Sequence, residues 1–120
     1  MTQYLPAFAP GAAITYAPTA AVTGGQVVAV SGNRAVAPAG ADSAAVVGVA
    51  AHDAAVGDQL AVHPLTGVVH ELVASGVIAA GDRVATGTAG TVAALGAGSN
   101  PIGTALTGAL DGETVTVLGR

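Results

Sequence analysis

Cysteine, tryptophan and lysine are absent from this 120-residue chain, and phenylalanine occurs once. Without cysteine there is no disulfide, no thiolate nucleophile and no cysteine-ligated zinc. Without lysine there is no lipoyl or biotinyl attachment point. Nor does either glycine-rich loop, Gly87-Thr88-Ala89-Gly90 or Gly96-Ala97-Gly98-Ser99, end in the Gly-Lys-Ser/Thr that cradles phosphate. Positive charge is limited to three arginines against seven acidic residues, a formal −4. That balance leaves nothing to neutralise a phosphate backbone and argues against nucleic-acid binding. No run reaches about 18 strongly apolar residues free of Gly, Pro, His or charge, so no segment reads as a membrane-spanning helix. The N-terminal Met-Thr-Gln-Tyr-Leu-Pro has no basic start and is interrupted by Pro6, unlike a secretory signal.

What the chain does contain is small and apolar. Hydrophobic residues make up 52%, much of it alanine, and charged residues only 8%, against roughly 25% in an ordinary soluble domain. A surface built from Ala, Gly, Thr, Ser and Val fits a protein largely covered by copies of itself or by a partner. It equally fits a host whose proteome is biased to alanine and glycine. The length suits one domain with a single small core.

Within that length the chain repeats itself. Val22, Gly25 and Val28 recur as Ile78, Gly81 and Val84, 56 residues on, and Val36 recurs as Val92. After a one-residue slip the match resumes, Val47-Gly48 with Ile102-Gly103, Gly57-Asp58 with Gly112-Glu113, Leu60 with Val115 and Val62 with Val117. Register held this long marks an internal repeat. The expected organisation is an extended arm at 1–20 and one β domain at 21–120. The domain contains two units of about 40 residues, at 22–62 and 78–117, joined by 63–77.

Each unit reads as short strands punctuated by turns. Branched stretches near 26–30, 35–37, 44–50, 59–62, 68–73, 83–86, 91–94, 101–105 and 113–118 are bounded by Gly, Asn, Asp and Pro. Such spacing predicts an all-β fold, a small barrel or sandwich of β-tulip type. Ala51–Ala55 and Leu106–Leu110 are the two places where a helical turn could form. Pro6, Pro10 and Pro18 keep the first 20 residues extended. All three aromatic residues lie there, and an arm carrying Tyr4, Leu5, Phe8, Ile14 and Tyr16 is expected to dock them on something. Removal of residues 2–16 is expected to leave the β domain folded.

No catalytic constellation emerges. His52, His63 and His70 form no metal-binding pattern and read as surface or interface residues. Asp58, Asp82, Asp111 and Glu113 adjoin glycines, and the dense acidic loop of a calcium site is missing, so they read as turn formers. None of Ser31, Ser43, Ser75 or Ser99 sits in Gly-x-Ser-x-Gly. No cofactor, metal or small-molecule substrate is called for, and the chain reads as a non-enzyme.

The order of motifs V-T-G-G-Q-V-V-A-V, V-V-G-V-A, A-V-G-D-Q-L-A-V, V-I-A-A-G-D-R-V-A-T, N-P-I-G-T-A-L and G-E-T-V-T-V-L resembles a family of tailed-phage capsid decoration proteins, also called head-stabilising or cement proteins. The resemblance covers about residues 11–120. It implies a virion protein on the outer surface of the expanded head, bound to the major capsid protein and sitting as homotrimers at threefold or quasi-threefold positions. Family members often carry more charge and lysine than this chain. The alternative reading is a surface-exposed carbohydrate-binding or adhesion module, although the region after residue 20 has no aromatic platform.

Overall fold

The computed structural model describes residues 7–8 and 11–120. Within them are ten strands: β1 Ile14–Pro18, β2 Val27–Gly32, β3 Ala35–Pro38, β4 Val46–Ala50, β5 Leu60–Pro64, β6 Val69–Val73, β7 Arg83–Thr86, β8 Val92–Ala94, β9 Gly103–Ala105 and β10 Thr114–Gly119. The first five close into a barrel in the order β1-β3-β2-β4-β5, and the others form a sheet in the order β6-β10-β9-β7-β8. The all-β fold expected from the strand-and-turn pattern, a small barrel or sandwich, is therefore what the chain forms, as a closed barrel with a second sheet. Only a short 3-10 turn, Thr88–Gly90, is helical among the described residues.

The two sheets are wired alike. β2 pairs antiparallel with β3 and β4, and β4 with β5; β7 pairs antiparallel with β8 and β9, and β9 with β10. β1 lies antiparallel to β5 as β6 lies to β10. In the barrel a parallel contact between β1 and β3 completes the ring. In the second sheet the corresponding contact is a single parallel bridge, Ala74↔Val92. Thus β1, from the segment read as an arm, and β6, from the segment read as a connector, occupy the same place in their sheets. Deleting residues 2–16 would take out most of a barrel strand and is therefore expected to destabilise the domain rather than leave it folded.

Neither candidate helical turn forms. Val22 and Ala54 exchange two backbone hydrogen bonds (2.8 and 2.9 Å), as do Ile78 and Ala109 (2.9 and 2.8 Å). These bridges pin both alanine-containing segments open, and the bonds outweigh the helix propensity of alanine over so short a run.

With one Phe and no Trp, the core is assembled from many medium side chains, each contributing roughly 1.5–3 kcal/mol when fully buried. Inside the barrel lie Val22, Val28, Val36, Ala50, Ala54, Leu60 and Val62. Their counterparts Ile78, Val84, Val92, Ala105, Ala109, Val115 and Val117 belong to the second cluster. That cluster also takes in Val27, Ala39, Val49 and Leu65 from the first half, so the outside of the barrel roofs the second sheet.

Polar groups tie the same junction. Thr86 Oγ1 donates to the Gly40 carbonyl at 2.7 Å and accepts from the Ser43 N–H at 2.8 Å. Asp42 accepts from the N–H groups of Ser99 (3.1 Å) and Asn100 (2.9 Å), and its carbonyl accepts from the Asn100 side chain at 3.0 Å.

Gly48 and Gly103 mark close strand crossings at matching places. A Cβ on Gly48 would run into the His63 carbonyl oxygen, and one on Gly103 into that of Leu118. Both obstacles are backbone. Gly48→Ala and Gly103→Ala should therefore each cost about 1–3 kcal/mol in urea denaturation, as overpacking does. Gly40→Ala, with no atom within 4 Å of the added carbon, should stay within about 0.5 kcal/mol of the parent.

Candidate interaction surface

Most of the carboxylates are engaged with nearby backbone. Asp58 accepts from the Ala55 N–H at 2.9 Å, Asp82 from Ala79 at 3.0 Å and Glu113 from Leu110 at 2.8 Å, each closing its own turn. Asp53 accepts from Gly24 and Asp111 from Gly76, both at 2.8 Å. Most stand singly at their turns, and only Asp111 and Glu113 share one. Among the described residues no three His, Asp or Glu side chains converge as metal ligands would.

The histidines are scattered too. His52 Nδ1 lies 2.9 Å from the Asp53 carbonyl, and its Nε2 accepts from the Ala61 N–H at 3.3 Å, which sets the proton on Nδ1. His70 is half-buried and donates from Nε2 to the Pro64 carbonyl at 2.9 Å, while His63 is exposed.

What the molecule offers outward is apolar. Of the large exposed hydrophobic residues, Val30 and Val56 lie in the first half, whereas Val69, Val73, Val77, Leu106, Leu110 and Leu118 lie in the second. Val69 faces Leu118 across β6 and β10, with Glu71 opposite Thr116 one pair further along the same face. Val77 and Leu110, 69% and 60% exposed, flank the Ile78–Ala109 bridge. Their exposure was not legible in the sequence. A valine or leucine beside a turn looks the same whether its side chain points into the core or out of it.

The residues expected to form contacts are placed as follows. Tyr4 and Leu5 lie outside the described residues. Phe8 is half-buried, with the Arg34 guanidinium 4.9 Å from its ring centroid, a cation–π contact. Ile14 and Tyr16 are half-buried in β1, and Tyr16 packs against the barrel core. Tyr16 and Arg34 also line an open groove of about 390 Å³ with Thr15, Ala17, Asn33 and Gln59. The chain thus brings Phe8 and Tyr16 together around Arg34.

A family model described as phage cement protein matches residues 8–120. No curated protein sequence matches the chain. Among solved structures it is similar to the head fiber gp8.5 N base of bacteriophage phi29, with a TM-score of 0.72 and 24% identity over 90% of this chain and 92% of that one. At that identity the likeness speaks for the fold.

Asp42 lies at the junction of the two halves. Backbone hydrogen bonds from Ser99, then Asn100, hold the Asp42 carboxyl below its ordinary range, against a smaller opposing effect of desolvation. A folded-state value below the unfolded one means that the unfolded chain takes up the proton first on acidification. The stability this group adds is complete above about pH 4 and is lost as pH falls through the folded value. Asn tolerates the left-handed backbone at this position (φ 49°), so Asp42→Asn isolates the charge. Its melting temperature should lie below the parent's at pH 7, and the gap should narrow at pH 3. Equal gaps at both pH values would remove this charge from the junction.

Proposed function

The chain belongs to the phage cement protein family, and from this premise we propose that it attaches to the outside of the expanded phage capsid and stabilises it by bridging major capsid subunits as a trimer. The family match over nearly the whole chain carries the proposal. Membership makes it a structural, capsid-associated component of the virion; the outer location, the bridging and the trimer are the proposed steps.

The surface supports them. Few charges have to be desolvated when such a face is covered, and the exposed Val69, Val73, Leu118, Val77 and Leu110 give apolar area to bury. Single patches of this size are weak. Three copies held together make their attachments multivalent, so that modest contacts add to firm binding. A ligand that binds the expanded shell and not its precursor stabilises the expanded state by linkage. Contributions from Tyr4, Leu5, Phe8, Ile14 and Tyr16 to capsid or subunit contacts belong to the same proposal. Phe8, beside the Arg34 groove, is the best placed of those described.

Cosedimentation with expanded, DNA-free heads of its own phage tests this reading. The protein should pellet with the heads and raise the temperature at which they disrupt; free protein left in the supernatant would overturn the proposal. Deleting residues 2–10 keeps β1 and should leave the melting temperature within a few degrees while lowering head occupancy severalfold. Unchanged occupancy would take the N-terminal segment out of the contact. Val77→Asp with Leu110→Asp, both on exposed positions, should lower occupancy without unfolding the domain.

A further inference from the structure

The contact that joins the two halves has a head and a tail, and each half also carries the complementary part beside an open groove. Inside the chain, the turn at residues 23–26 of the first half sits against a seam of the second half formed by β6 and the 3-10 turn. Gln26 Nε2 donates to the Ala89 carbonyl at 3.1 Å. Gly90 packs so close that a Cβ there would lie 2.8 Å from that of Gln26. The remaining groove, about 380 Å³, is lined on the second half's side by residues 71–73, 89–91 and 114.

The same seam exists in the first half, where among the described residues no turn of the other half is seated on it and Phe8 stacks on Arg34. Strand register makes residues 15–17 equivalent to 71–73. The 56-residue repeat makes 33–34 equivalent to 89–90, and the 55-residue repeat makes Gln59 equivalent to Thr114. Together these six first-half residues line the open groove of about 390 Å³ around Tyr16 and Arg34.

The turn at 23–26 also has its counterpart, at residues 79–82. Gln26 Oε1 accepts from the Thr23 N–H at 2.8 Å, as Asp82 Oδ2 accepts from Ala79 at 3.0 Å. Gly25 and Gly81 share φ of +90°. The second turn borders open space of about 470 Å³ beside Arg83 and Leu95. Among the described residues one molecule therefore carries a second turn and a second seam that do not meet each other, matching the pair that dock within it.

The geometry points to head-to-tail association of copies, with the 79–82 turn of one seated in the Tyr16–Arg34 groove of the next. The side chains at the meeting point differ between the two contacts in a concerted way. Where the internal contact sets the Gln26 amide over the bare Gly90, the open pair sets the Asp82 carboxylate opposite the Arg34 guanidinium. Arg34 (φ 51°) occupies the left-handed backbone region that Gly90 (φ 76°) occupies, so it presents its charge from the same place. Val27 and Leu65, buried at the internal junction, correspond to exposed Arg83 and Arg120. The face between copies is thus more polar than the one within a chain, as suits chains that are separate before they meet.

This pairing deepens the trimer reading and rests on it. Three chains would form a closed ring of six half-to-half contacts, three covalently joined and three between copies.

The absence of native cysteine allows a direct test. Equal amounts of purified Arg34→Cys and Asp82→Cys protein are mixed, oxidised and run without reductant. Disulfide dimers should form in the mixture and not from either variant alone. No dimers in the mixture, or equal dimers from each variant alone, would overturn the head-to-tail pairing. Thermal melts show that both variants are folded. As a second route, Arg34→Glu should weaken self-association about tenfold by analytical ultracentrifugation, and adding Asp82→Arg should restore it; a double variant no better than the single would also overturn the pairing. The Arg34→Cys/Asp82→Cys double variant separates this inference from the functional one. A covalent three-copy product supports both, whereas a ladder past three keeps the pairing and removes the trimer. Heads that carry trimers without interchain disulfides keep the trimer and remove the pairing.

Discussion

The packing of the barrel's outer face on the second sheet is the contact on which the rest of the structure depends. The barrel closes on itself through β1, whereas the second sheet joins its edges by one bridge and needs cover from outside. Val27, Ala39, Val49 and Leu65 supply that cover, and Thr86 and Asp42 fix its register with hydrogen bonds to backbone. A chain with one phenylalanine cannot anchor such a junction on a large ring. It relies instead on many valines and on glycines that let strands cross closely, an arrangement sensitive to a single added methyl group.

The same economy shapes the surface. Seven acidic residues are few, and six of them accept backbone N–H bonds across or within turns. Charge used to close turns is not displayed as a patch. The exterior carries few charges, with its larger apolar side chains concentrated on the second half. For a structural component of a capsid this is a coherent distribution, since a face that is to be covered gains from apolar area and loses by every ion it must strip of water.

The repeat also ties fold to assembly. The molecule demonstrates, within a single chain, how two such units fit together. The free ends of that arrangement differ from it chiefly at a few surface positions, where amide and glycine give way to carboxylate and guanidinium. Opposite signs at the two free ends favour pairing of unlike faces over pairing of like ones.

Strand positions, turns and the all-β class were legible in the sequence because they are local: branched residues favour the pleated surface, and Gly, Asp and Asn relieve the backbone where it reverses. The repeat was legible for the same reason, as valines facing a common interior recur at a common spacing. Partners in space were not. That β1 is a stave of the barrel depends on hydrogen bonds to β5 and β3 from residues more than 40 and about 20 positions away in the chain. The exposure of Val77 and Leu110, the roofing of one sheet by another, and the meeting of Phe8, Tyr16 and Arg34 likewise come from long-range closure. Side-chain chemistry alone carries no record of which face of a strand will find a neighbour, so composition and spacing determined the elements, and only tertiary packing decided which of their surfaces remain open.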